Sequence, residues 1–411
     1  MSKVHEKRRL RAVLPVGVAL TALAASGCAA QVSGGVSGHA SVVRITAADQ
    51  GIALGAGQVG TRASVPWRLV GPSWTLAEYA ASTAPEVTPR KTGPTTLYLI
   101  DPAGGRYRMY RWAAPKPNQA LPYLVDWSGD KTRALIQLFV PNSNWLMMEQ
   151  ITLASGKISP FRLPSQANVI GYTKPNGLNV LATLGFSNTK IVRYNLRGRL
   201  QAVLARGSNL YGVQSPDGIT LAVSDSNGLL LVSNAGGLIR RLPVPANAAA
   251  GNGCYPERWW NARTILAGCF ARGSSASRLW LIPAGVHKPT ALTPQRNGHG
   301  VDPAGDIGAW QLPSGLYLQA VGGCSALFIV KQARDGSVSV VNIPGTTGGN
   351  NRILAALRSR LLVRAETGCP GSDSLLWFNP VSHAVQMLLR APSNIAGVLS
   401  AVPYGRLGQQ N

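Results

Sequence analysis

From Trp67 onward the chain repeats one local grammar seven times: a short strand, a tight polar turn, and a second strand that passes through an alanine. The second strands read "TLAEY" (Ala77), "RALIQL" (Ala134), "LATLG" (Ala182), "LAVSD" (Ala222), "LAGCF" (Ala267), "LQAVG" (Ala320) and "VRAET" (Ala365), with steps of 57, 48, 40, 45, 53 and 45 residues between alanines. Periods of this size with mostly strand content describe propeller blades, whereas helical solenoids would show a 3.6-residue period. After each pair comes a second hairpin with alternating apolar and polar residues, for example "IVRYNLRGRLQAV" and "LLLVSNAGGLIRR". Glycine marks six of these seven turns, and the seventh must turn at Ser382-His383 without one. Four strands per unit and seven units predict an all-β chain, a seven-bladed β-propeller of four-stranded antiparallel blades over residues 61–405. Radial closure leaves only short strand edges exposed.

Two segments compete to complete blade one. "IAGVLSAV" at 395–402 follows the seventh hairpin and looks like one more first strand, while "VPWRLV" at 65–70 could fill the same slot from the other end of the chain.

The turn "SPDG" at 215–218 has a specific physical reading. The proline presets φ, Asp217 accepts bonds from backbone amides, and Gly218 takes a positive φ, joining the first and second strands of blade four. "WSGD" at Trp127, "KPNG" at Lys174 and "WWNA" at Trp259 are degraded copies. In these residues the chain resembles the TolB-type and WD-like repeat propellers of bacteria, whose repeats centre on a Ser-Pro-Asp-Gly turn ahead of a Leu-Ala strand. The resemblance covers roughly residues 65–405 and implies the fold. Propellers host enzymes, binding scaffolds and assembly platforms alike, so it implies no activity.

The first 27 residues read as a signal peptide: Lys3, Lys7, Arg8, Arg9 and Arg11 precede an apolar stretch, Ala12 to Ala25, too short to span a bilayer. It ends in "LAASGC", which resembles the lipobox of bacterial lipoproteins and implies lipidation at Cys28. Ala25 stands where that family usually has Leu, and ordinary cleavage near Ala30 is the alternative. Residues 28–60, rich in Gly, Ser and Ala, then read as a flexible tether from a lipid anchor, with one extra strand at "SVVRIT". The expected address is the extracytoplasmic face of the cell membrane.

Five cysteines are odd in number, and lipidation of Cys28 leaves four that can pair. Cys254 opens blade five and Cys269 ends its second strand, while Cys324 and Cys369 occupy matching loops of blades six and seven. The pairs expected are Cys254–Cys269 and Cys324–Cys369, although four cysteines allow three connectivities. An oxidising compartment favours disulfides over zinc, and neither a metal nor a cofactor is expected.

The formal charge is +24. Loss of the signal leaves 35 basic against 15 acidic residues, a charge of +20. In an exported monomer such a field points to an anionic envelope component or an acidic partner protein, to membrane headgroups, and away from nucleic acid. The blade-to-blade loops share an asparagine just before the incoming strand: Asn118, Asn168, Asn209, Asn252, Asn297, Asn351 and Asn394. These loops would gather on one face around the channel, with Arg206, Arg296, Arg352 and Arg390 among the nearby cations and His299 and Asp302 as a nearby pair. Guanidinium forks recognise carboxylate and phosphate, so an anion-binding channel mouth is the sharper expectation. Asparagines that cap their own turns need no ligand. The resulting expectation is a binding or scaffolding propeller. An exported lyase, hydrolase or quinone-dependent dehydrogenase is the enzyme alternative, and a structural module of an envelope complex is the third. No serine elbow, histidine cluster or phosphate loop stands out to favour catalysis.

Overall fold

The computed structural model describes residues 54–405, apart from 82–92, 116–121, 141–142, 187, 227, 249–252, 275, 296–304, 323–325, 348–349, 367–372 and 391–396. Its strands form seven sheets, six of four strands and one of five, with consecutive strands adjacent and antiparallel in each of the six. This is the seven-bladed propeller. The inner strands of blades two to seven are Pro122–Trp127, Ala167–Tyr172, Tyr211–Gln214, Cys254–Asn261, Asp306–Leu312 and Arg352–Leu357. All seven alanine strands occupy the second position of their sheet, from Thr75–Ala80 in blade one to Arg360–Glu366 in blade seven.

Each repeat alanine is fully buried, from Ala77 through Ala365. A small side chain at that level lets neighbouring blades approach closely, and seven core clusters fill the seven gaps between blades. Leu135 and Met148 of blade two pack on Ala182 and Val192 of blade three, for example, and Leu266 and Leu279 of blade five on Ala309 and Leu318 of blade six. A blade cannot bury both of its faces alone, so the ring folds as a unit.

The last strand, Gly397–Pro403, pairs antiparallel with Thr75–Ala80 and becomes the inner strand of blade one. The segment 65–70 is not a strand; it bends, with Val65 and Val70 buried beside Trp74 in the core between blades one and two. Residues 54–60, expected to end the tether, are part of blade one instead. The Leu54 backbone amide donates to the Tyr107 hydroxyl at 3.0 Å, and Val59–Thr61 pairs parallel with Arg106–Arg111 as a fifth, outermost strand. An outer edge presents unpaired backbone groups, and this strand covers them. Residues 1–53, with the expected signal, Cys28 and "SVVRIT", lie outside the described residues.

The first turns follow the reading of "SPDG". Gly218 has φ +77°, Asp217 Oδ1 accepts from the Ile219 amide at 2.9 Å and from the Ser215 hydroxyl at 2.5 Å, and Ser215 Oγ accepts from the Thr220 amide at 3.0 Å. Blade two repeats this with Ser128, Asp130 and Lys131, the last at φ +66°. Blade three repeats part of it, with Thr173 accepting from Asn179 and Gly177 at φ +66°. The seventh outer hairpin turns at His383, φ +56°, where a glycine would ordinarily stand.

Candidate functional site

Inner strands carry little sequence signal because their side chains serve the ring rather than a local motif. Several polar side chains of the inner and second strands tie a blade to its neighbour. Asp126 Oδ2 accepts from the Tyr172 amide at 2.8 Å, Gln214 Oε1 from the Lys174 amide at 2.8 Å, and Gln319 Oε1 from the Ile353 amide at 2.8 Å. Arg364 donates to the Leu399 carbonyl at 2.6 Å and pairs with Asp373 at 3.0 Å, and Arg258 donates to the Ala309 carbonyl. These bonds satisfy backbone groups that would otherwise be orphaned at the ring's centre.

In six of the seven blades the inner strand also bulges against the second strand, by one extra residue in five of them and by two in blade five. The extra residues are Leu399, Val125, Ile170, Ile307 and Leu354, all aliphatic, and in blade five Glu257 at the matching position, with Trp260 as a second bulge further along. A bulge bends the strand and re-aims its side chain. Val125, Ile170, Glu257 and Leu354 all line a central cavity of about 360 Å³. Among these bulge residues, Glu257 puts a carboxylate where its counterparts put hydrocarbon.

Arg258, Arg352, Arg364, Lys174 and Asp126 line the same cavity, with Tyr123, Trp259 and Trp310 as aromatic walls. Burial pushes the Glu257 carboxyl up to about 7, against the opposing pull of Arg352 and Arg258. Burial likewise brings Arg258 down to about 10, against the pull of Glu257. Its guanidinium lies 5.0 Å from the Trp260 ring centre and 5.5 Å from that of Trp310, a cation–π clamp that fixes it in place. The arrangement is thus a partly enclosed chamber with one perturbed carboxyl, an exposed arginine at its edge and fixed cationic walls.

Of the residues expected at the channel mouth, Arg352 lines this cavity. Asn168, Asn209, Asn351, Arg206 and Arg390 do not line it. Asn351 is buried: its carbonyl accepts from Gln319 at 2.9 Å and its side chain donates to Thr346 at 3.4 Å. Asn209 takes a left-handed φ of +54° in its turn, and Asn168 lies within an inner strand. These three follow the turn and pairing role of asparagine. The physical reason for the difference is depth: the chamber is walled by the inner strands and by first-turn residues Lys174 and Pro216, not by the blade-to-blade loops. Asn118, Asn252, Asn297, Asn394, Arg296, His299, Asp302, Cys324 and Cys369 lie outside the described residues. Cys254 and Cys269 stand directly opposite each other in blade five and form a disulfide. Glu257 and Arg258 were missed. The available signal was the run "PERWW", a charged pair inside an inner strand of a chain with 16 acidic residues.

No family model and no curated protein matches the chain. Among solved structures it is similar to one of two prolyl endopeptidases, with a TM-score of 0.51 and 14% identity over 80% of this chain and 51% of that one. It is also similar to the β-propeller domain of the Trilobed protease from Pyrococcus furiosus, at 0.50 and 10% over 77% and 95%. TolB from Acinetobacter baumannii follows at 0.43 and 13% over 82% and 67%, too distant to bear weight. The chain spans about half the length of the prolyl endopeptidase. The Pyrococcus domain is described as having an open velcro topology, whereas the ring here is closed by Gly397–Pro403. At these identities the likeness is one of fold: the chain is a β-propeller.

Proposed function

We propose that this chain is a binding propeller, anchored through a lipid on Cys28 at the extracytoplasmic face of the membrane, whose channel receives an anionic group of an envelope component or partner protein. The observation that carries this reading is the cationic lining of the central cavity, with Arg258, Arg352, Arg364 and Lys174 set against Asp126 and Glu257. Arginine forks in a partly dehydrated chamber hold carboxylate or phosphate more firmly than in open water. The outer edge of blade one supports the address. Arg62, Arg108 and Arg111 line a groove there, beside the fifth strand, and a bilayer of anionic lipids would attract them.

A second reading, an exported enzyme working in the same channel, is favoured by Glu257, since a carboxyl titrating near neutrality in a cleft is suited to moving protons. The structural-module reading has no comparable observation.

The test of the first reading is binding of polyphosphate and polyuronate to the purified chain, followed by calorimetry from 50 to 500 mM salt. Salt-sensitive binding that Arg352→Ala weakens supports it. Binding unaffected by Arg352→Ala, or no binding of either polymer, overturns it. Acyl labelling of the chain that Cys28→Ala abolishes tests the anchor separately.

A further inference from the structure

The cations and carboxylates of the chamber are not equally engaged. Arg258 is held by the Ala309 and Trp259 carbonyls and by two tryptophan faces, Arg364 by Leu399 and Asp373, and Asp126 by the Tyr172 amide. Glu257 and Arg352 remain, presented to the cavity from blades five and seven. Arg352 is the foremost charge opposing the burial of Glu257, yet no ion pair closes between them among the described residues. A carboxylate and a guanidinium that share a chamber without touching leave space for a group that touches both.

We propose that the channel recognises a zwitterionic group, a carboxylate or phosphate seated on Arg352 and an amine on the same molecule seated on Glu257. This deepens the anion-binding reading and rests on it. Three features argue for an amine rather than a second anion. Glu257 occupies a bulge position that is aliphatic in five other blades, so its carboxylate is the distinguishing feature of the chamber. An ammonium supplies the charge that burial withholds from an ionised Glu257, and the two charges neutralise each other on contact. Arg258 and Arg364 are tied to backbone carbonyls and to Asp373, and Lys174 interacts with Asp217 of the neighbouring turn, which leaves one carboxylate and one guanidinium to be matched. The volume, about 360 Å³, lies at the small end of ligand sites and suits an amino-acid-sized group or the end of a larger chain. The titratable and charged groups facing Glu257 are Tyr255 and Arg258 on its own strand and Arg352 of blade seven, with Tyr123, Asp126, Tyr172, Lys174 and Arg364 around the same cavity. An amine binding to Glu257 draws its carboxyl toward the ionised form, so binding near neutral pH releases a proton.

The experiment is calorimetry at pH 7 on the purified chain with β-alanine, 4-aminobutyrate, propionate, propylamine and inorganic phosphate, repeated in two buffers of different ionisation enthalpy. One of the two zwitterions should bind at least about tenfold more tightly than propionate or propylamine, the effect of one added charge-assisted hydrogen bond, with proton release. Glu257→Gln should bring that zwitterion down to the level of propionate, and Arg352→Met should remove both. Thermal unfolding of each variant shows that it has folded. Binding of propionate and phosphate that depends on Arg352, with no preference for either zwitterion or with a preference that survives Glu257→Gln, overturns this inference and leaves the anion reading standing. Absence of binding by phosphate and by every carboxylate, together with failure of the polymers, overturns both.

Discussion

Glu78 in blade one accepts a 2.7 Å hydrogen bond from the backbone amide of Leu124 in blade two, and a 3.1 Å bond from the Ser400 hydroxyl of the closing strand. One fully buried carboxyl thus joins the two ends of the chain to the next blade. Burial raises its pKa from the ordinary 4.5 to about 8, against the two hydrogen bonds, which favour the charged form. The sign of the linkage follows. Below pH 4.5 both folded and unfolded chains hold the proton. Between 4.5 and 8 the unfolded chain releases it and the folded chain keeps it, so stability falls as pH rises, by up to about 1.4 kcal/mol per unit, and levels off above 8. Glu78→Gln keeps an oxygen for Leu124 and has no charge to bury. Urea unfolding at pH 5, 6, 7 and 8 should show that this variant loses the larger part of the decline that wild type has across that window, including all of it between 7 and 8, while the part due to Glu257, raised to about 7, remains.

Gly218 should not tolerate a side chain. Its φ is +77°, and a Cβ there would lie 2.1 Å from the Lys174 carbonyl of the neighbouring turn. Gly218→Ala is expected to cost about 1–3 kcal/mol, measured by chemical unfolding. Gly273→Ala is the control, with a similar φ of +74° and nothing within 4 Å, and should cost less.

Enlarging a repeat alanine should wedge two blades apart. Ala267 is fully buried in the cluster that joins blades four and five, with Ala222 and Ile265. Ala267→Leu is expected to destabilise the fold by about 1–3 kcal/mol, and the same change at Ala222 by a similar amount. Additive loss in the double variant would show that the two sites do not share a strain, whereas contact within one cluster predicts non-additivity.

The Cys254–Cys269 bond closes a loop with a sequence separation of 15. Chain-entropy arguments put its contribution at about 3 kcal/mol. Reduction, or replacement of both cysteines by serine, should lower the urea midpoint by a corresponding amount without altering the far-ultraviolet circular dichroism of the folded state.

The repeat was legible because each unit is local. Ala134 or Ala222 sits in a second strand for reasons contained within a dozen residues: alternating apolar positions, a turn with Ser, Asp and a left-handed residue, and a following hairpin. The partnership of Cys254 with Cys269 was legible on the same ground, because a hairpin brings them opposite each other. Lys131 shows the limit of such reading, since it holds the left-handed position that glycine holds in "SPDG", and no glycine marks it.

What the chain of letters determined by itself was the number of blades, their strand order and most of their turns, because hairpin pairing is decided between near neighbours. Tertiary structure alone decided that Gly397–Pro403 and not 65–70 completes blade one, that residues 54–61 cap its outer edge, and that Glu257 and Arg352 share a chamber. Those outcomes depend on seven inner strands converging on one axis once the ring closes. Residues almost a hundred positions apart then line one chamber, with no motif to announce it, because their side chains answer to the geometry of the whole wheel rather than to that of any single blade.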